Sequence, residues 1–280
     1  MQPPTEDRRR HWTLVLCCLA QFMVVLDVSV VNVALPSIQR DLAFSDVDLQ
    51  WVVSAYTLTF AGFLLLGGRA ADLLGHRRMF VVGLLLFGAA SLAGGLSQSQ
   101  AALVLARGAQ GLGGAAVAPV TLSILTNTFA EGSERNRALA AWGAMGAAGG
   151  AAGGLVGGVL TDLLGWEWIL FVNVPIAAGI AFAARRVIRE TFERQGTRHF
   201  DVAGAVTVTA GLVLVTFAIV RTDVNGWGSA ETLGVMAAGL ALLSVFGVIE
   251  ARISQRPLMP FDALRNRSVI GSNVVVFFMG

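Results

Sequence analysis

Long apolar runs alternate with short polar bridges from one end of the chain to the other. The runs fall at 12–35, 51–66, 80–96, 101–127, 139–160, 168–184, 202–220 and 232–250, and another begins near Val269. A helix of about 20 residues crosses roughly 30 Å of hydrocarbon, so each run has the length of a membrane span. Inside hydrocarbon the backbone must satisfy its own hydrogen bonds, which makes each span a helix. The pattern predicts an all-α polytopic membrane protein with eight spans and the start of a ninth.

Composition supports this. The 280 residues are 55% hydrophobic and 14% charged, with a mean hydropathy of +0.69, whereas soluble domains carry about 25% charged residues. The first run is too long for a signal-peptide core and contains Asp27, so it reads as helix 1. All 20 basic residues are arginine, and their distribution sets the expected topology. One set of loops holds Arg69, Arg77 and Arg78, then Arg135 and Arg137, then five arginines within 185–198, then four within 252–267; the alternate loops hold only Arg40 and Arg221. The positive-inside rule then places the N-terminus in the cytoplasm, and the expected location is a bacterial plasma membrane.

The expected organisation is a cytoplasmic N-terminus at 1–11 and a six-helix transport bundle at 12–184. A cytoplasmic linker at 185–201, two extra transmembrane helices at 202–250, a loop at 251–268 and the start of helix 9 at 269–280 follow. The arginines sit at membrane borders, which argues against nucleic acid as a partner. Cys17 and Cys18 are adjacent in an apolar run and read as filler. His11, His76 and His199 lack metal-ligand spacing. Gly111-Leu112-Gly113-Gly114-Ala115-Ala116 spells a dinucleotide-binding turn, but it follows no strand and lies within a span. No cofactor, metal site or nucleophile–base set is expected, and the chain is not expected to be an enzyme.

Three features carry candidate chemistry. First, helix 1 holds Asp27 and Asn32, and helix 4 holds Arg107 with Gln110 three residues on, on one helical face. Counted by helical rise from the outer ends of their spans, Asp27 and Arg107 lie at similar depths. A charge inside a span is costly unless paired or solvated, and so marks a transport pathway, with a purely structural ion pair as the alternative. A carboxylate there can load and release a proton as its solvation alternates.

Second, the bridge 68–79 carries Gly68, Asp72, Gly75, Arg77 and Arg78. Its glycines permit a tight reversal, its acid can cap the next helix, and its arginines can anchor topology. Third, Gly146, Gly150, Gly154 and Gly158 repeat every four residues along helix 5, with Gly149, Gly153 and Gly157 beside them, and form a ridge for close packing, either static or sliding. Pro119 should bend helix 4.

The ordered pattern Gly68-x-x-x-Asp72-x-x-Gly75-x-Arg77-Arg78 resembles the helix 2–3 loop signature of the major facilitator superfamily. Three further blocks agree: Leu26-Asp27-Val28-Ser29-Val30-Val31-Asn32-Val33-Ala34-Leu35-Pro36, Arg107 to Gly113, and Gly153 to Gly158 followed by Trp166-Glu167-Trp168 and Asn173-Val174-Pro175. Together they are similar to the fourteen-helix drug/proton antiporter branch. In two places the sequence departs from that branch, with Gly154 where a proline is usual and Glu167 where a basic residue is usual.

The resemblance implies proton-coupled efflux of small amphipathic drugs or antibiotics through two rocking bundles. Asp27 and Arg107 would serve the proton and substrate pathway, and Asp72, Arg77 and Arg78 would latch the cytoplasmic face. It also implies a missing C-terminal bundle, supplied by further sequence or a second chain. Two alternatives remain open: a non-transporting relic or membrane partner subunit, and solute uptake.

Overall fold

A computed structural model describes residues 6–190, 202–252 and Gly271. Most of the expected linker at 185–201, the loop beyond 252 and the start of helix 9 lie outside the described residues. The chain divides into two compact units, Met1–Gly196 and Thr197–Gly280.

The described part of the first unit is a bundle of α1 (Glu6–Leu42), α2 (Asp46–Leu74), α3 (His76–Gly95), α4 (Gln100–Thr128), α5 (Ser133–Leu164), α6 (Trp168–Phe171) and α7 (Asn173–Val187). Two N-caps match their residue types: Ser45 and Ser99 accept hydrogen bonds from the Asp48 and Ala102 amides at 3.1 and 3.3 Å. The helix α4 lies among α1, α2 and α3, and α5 packs along α1. One apolar core is built around Met23, Phe80, Leu84, Phe87 and Leu125, and a second around Val30, Ile38, Leu103 and Ile169.

Helix boundaries differ from the apolar runs for physical reasons. The helix α1 starts at Glu6, taking in Arg8 to Arg10, and continues through Pro36 to Leu42. An apolar run marks the part of a helix that hydrocarbon surrounds, and a helix can extend beyond it. Proline removes one donor without forcing an end when neighbours hold the chain. The sixth span is divided into α6 and α7 around Val172. Pro175 has no amide to offer the carbonyl of Phe171, and the interruption falls there. Helix α4 runs unbroken through Pro119.

In the second unit α8 (Val202–Asn225) and α9 (Ala230–Arg252) form a hairpin. The backbones approach closely at Gly211 and Gly239, where a Cβ would lie 3.2 and 3.1 Å from the other helix's glycine carbonyl.

Candidate functional site

The sequence candidates on α1 and α4 meet inside the bundle. Asp27 is 0% exposed and Arg107 1% exposed. Arg107 Nη1 donates to Asp27 Oδ2 at 2.6 Å and to Gln110 Oε1 at 2.6 Å, while its Nε donates to the Val52 carbonyl of α2 at 3.0 Å. Gln110 Nε2 donates to Asp27 Oδ1 at 2.7 Å and to Ser91 Oγ of α3 at 2.7 Å. Asn173 Nδ2, at the first residue of α7, donates to Asp27 Oδ1 at 2.8 Å. The guanidinium also lies 4.5 Å from the Tyr56 ring centroid, where the ring face attracts a cation. Five helices thus converge on one carboxylate, which has the three charge-assisted bonds a buried anion requires.

Backbone proximity makes this reach possible. At Gly111 a side chain would strike Thr59 and the Tyr56 carbonyl of α2, and at Gly113 it would lie 2.7 Å from the Phe87 amide of α3. The Thr59 hydroxyl donates to the Gly108 carbonyl at 2.8 Å, tying α2 to α4 beside the arginine. The glycines that spell a dinucleotide turn are therefore helix-packing contacts. Asn32 does not join the cluster; it is exposed and its Nδ2 donates to Val28 of its own helix at 3.2 Å.

The helix 2–3 loop is a second constellation. Gly75 has φ 103°, a backbone conformation costly for other residues, and its amide donates to the Ala71 carbonyl at 2.9 Å. Asp72 does not cap α3. It lies 3.4 Å from His76 Nε2 and 3.8 Å from Arg69 Nη1. The cap comes from Glu190, just past α7: its Oε1 accepts the Arg77 amide at 3.0 Å, and its Oε2 lies 3.4 Å from Arg77 Nε and 3.7 Å from Arg78 Nε. A carboxylate at a helix N-terminus is stabilised by both the open amides and the dipole.

Glu190→Gln weakens this clamp. Because Arg78 is largely exposed the effect is modest, and trypsin cleavage after Arg77 and Arg78 is expected to rise about threefold to tenfold in membranes. An unchanged rate would show that Asp72 and its partners hold the loop alone.

On α5 the closest approach to α1 is at Gly149, Gly153 and Gly157, beside the period-four repeat. A Cβ at Gly149 would lie 2.7 Å from the Phe22 carbonyl, at Gly157 3.1 Å from Val30 Cα, and at Gly153 against Ser29. Gly146 faces Gln21 at 3.3 Å and Gly150 faces Val25 at 3.8 Å, whereas Gly154 and Gly158 have nothing within 4 Å among the described residues. The Ser29 hydroxyl donates to the Gly150 carbonyl at 2.8 Å across this contact.

The sequence matches the Major Facilitator Superfamily over residues 17–280. The chain belongs to that superfamily. Within it, the cephamycin export protein CmcT of Amycolatopsis lactamdurans is 49% identical over 248 residues, covering 88% of this chain and 51% of that protein. A puromycin resistance protein of Streptomyces alboniger is 43% identical, covering 96% of this chain and 53% of that protein. The chain spans about half the length of these relatives. The fold is similar to that of a peptide transporter solved with sulfate, with a TM-score of 0.64 at 17% identity over 87% of this chain and 53% of that one. It is also similar to a human organic anion transporter, with a TM-score of 0.58 at 16% identity over 89% of this chain and 73% of that one. This is a family of membrane transporters, not of enzymes.

Four members of these constellations escape sequence reasoning. Ser91 carries no local signal, and Tyr56, the chain's single tyrosine, stands at no spacing that assigns it a partner. Asn173 stands two residues before Pro175, and a polar residue at a proline break is a signal that could have been used. Glu190 is one charge in a charged segment, and only the tertiary fold singles it out.

Proposed function

We propose that the chain forms one bundle of a proton-coupled exporter of small amphipathic compounds, drugs or antibiotics among them. The observation that carries this reading is Asp27, a carboxylate 0% exposed yet held by an arginine and two carboxamides within a span. The carboxamides suit a group that changes protonation. An amide NH₂ donates to the carboxylate, and an amide oxygen accepts from the carboxylic acid. The Oδ1 of Asn173 is buried with no hydrogen-bond partner among the described residues, leaving an acceptor beside Asp27 for that second state. Protonation would release Arg107 from Asp27, and the freed cation would rearrange against the Val52 carbonyl and the Tyr56 ring. The names of the relatives, which speak of cephamycin export and puromycin resistance, support efflux rather than uptake.

Alternating access takes two bundles about one site. The proposal therefore pairs this bundle with a second, encoded by further sequence or contributed by another chain. The Asp72, Arg77 and Arg78 loop would latch the two on the cytoplasmic side, where the arginine distribution also puts the N-terminus.

The test is efflux of a fluorescent cationic dye from bacterial cells expressing the chain, alone or extended by any downstream reading frame. Efflux is expected to stop with an uncoupler and to fall at least a hundredfold in Asp27→Asn, about 2.7 kcal/mol of lost coupling. Efflux by either form that is indifferent to both treatments would remove the proton-coupling role. Silence from both forms would favour a partner-subunit role.

A further inference from the structure

We propose that the arginine-rich end of the first unit holds a binding site for a phosphate-bearing anion, separate from the Asp27 cluster. A cavity of about 250 Å³ opens there between the start of α1, the end of α4 and the segment after α7. Arg9 and Arg10 enter from α1 and Arg189 from beyond α7, with Glu6, Thr13 and Asn127 beside them.

Three observations point to an anionic occupant. The first is charge. Arg9 is paired with Glu6 at 3.0 Å and Arg10 with Glu134 at 3.4 Å. Among the described residues Arg189 makes no ion pair or side-chain hydrogen bond. Three guanidiniums against two carboxylates leave one positive charge over. The positive end of α1 and the negative ends of α4 and α7 border the cavity, a net of about half a negative charge that reduces this excess without reversing it.

The second is an open hydroxyl. Thr13 lines the cavity and makes no side-chain hydrogen bond among the described residues, and its oxygen is not sealed from solvent. That hydroxyl is free to donate to an occupant of the cavity. The third is donor geometry. Guanidinium forks, a hydroxyl and the Asn127 amide all donate, which matches the several acceptor oxygens of a phosphate group. The volume suits a phosphate, a diphosphate or a phospholipid headgroup, but not a drug-sized molecule. Ile124 and Ile188 also line the cavity and are nearly fully buried, so an anion entering it would be partly shielded from water.

The experiment measures thermal unfolding of the purified 280-residue chain in two arms. In non-ionic detergent, pyrophosphate is titrated against chloride at equal ionic strength; in nanodiscs, phosphatidylglycerol is compared with phosphatidylcholine. A saturable stabilisation in either arm is expected. Pyrophosphate response identifies a soluble phosphate compound as occupant, and a response confined to phosphatidylglycerol identifies a headgroup phosphate. Arg189→Ala is expected to weaken the response about tenfold, and Thr13→Val by a smaller factor of about threefold. Glu6→Gln, which removes a facing carboxylate and frees Arg9, is expected to strengthen it, a change that mere loss of folding cannot produce. No stabilisation in either arm, equal stabilisation by chloride, or an undiminished response in Arg189→Ala overturns the proposal.

Discussion

Arg107→Leu is expected to cost the bundle about 3–5 kcal/mol of stability, because it leaves Asp27 as a buried carboxylate without its counter-charge. Asp27 is 0% exposed and keeps only the amides of Gln110 and Asn173 as donors once the guanidinium is gone. Removing both charges in Asp27→Leu/Arg107→Leu should recover at least half of that loss, since an ion pair taken out together leaves no orphan charge. The two-residue thermodynamic cycle, read by thermal or denaturant unfolding of the purified chain, checks this directly. Additive losses in the double variant would mean that the two charges do not stabilise each other, and the ionic reading of the cluster would fail. The same cycle separates structure from function. A pair kept for packing alone could be replaced with little harm, whereas the proposed proton coupling is lost in every variant lacking Asp27.

The second large effect distinguishes two faces of one helix. Gly149→Ala would place a methyl 2.7 Å from the Phe22 carbonyl of α1, a backbone atom that cannot move without shifting the whole helix. A destabilisation of about 1–3 kcal/mol is expected from this overpacking. At Gly154 nothing among the described residues lies within 4 Å, so Gly154→Ala meets no obstacle there and removes a residue that disfavours helix by about 1 kcal/mol. That variant should be neutral or slightly more stable in the isolated chain. Unfolding of the two variants side by side, each against the unaltered chain, checks the contrast. Equal losses at both positions would show that Gly154 also faces a neighbouring helix.

How much of this could be read beforehand differs from one residue to the next. Asp27 and Arg107 were legible because a charge in an apolar span has few tolerable environments, and Gln110 followed from its position one turn below Arg107. Asn173 was not, because nothing in the spacing says that the span bearing it turns that residue toward α1. Which glycines of α5 come closest to α1 is open in the sequence for a similar reason. Gly146, Gly150, Gly154 and Gly158 make the more regular repeat, but a second set at Gly149, Gly153 and Gly157 is one helical position away. Which set faces α1 depends on the rotation of α5 about its axis, a quantity that small residues on several faces leave undetermined.

Glu190 shows the limit most plainly. By sequence it is separated from Arg77 by more than a hundred residues, and it caps α3 only because α7 brings its end beside the Gly75 turn.

Helical spans of membrane length follow from the apolar pattern, and Asp27 and Arg107 stand out because a charge or an unpaired backbone group is costly in hydrocarbon. The likeness to facilitator transporters rests instead on ordered motifs such as Gly68 to Arg78. Helix packing settles which carboxamides surround Asp27, which glycines come closest to α1, which acid clamps the Gly75 turn and which three arginines line a cavity. Each of those depends on helix rotation and on the joining of distant segments, and neither is encoded in the period of the apolar pattern.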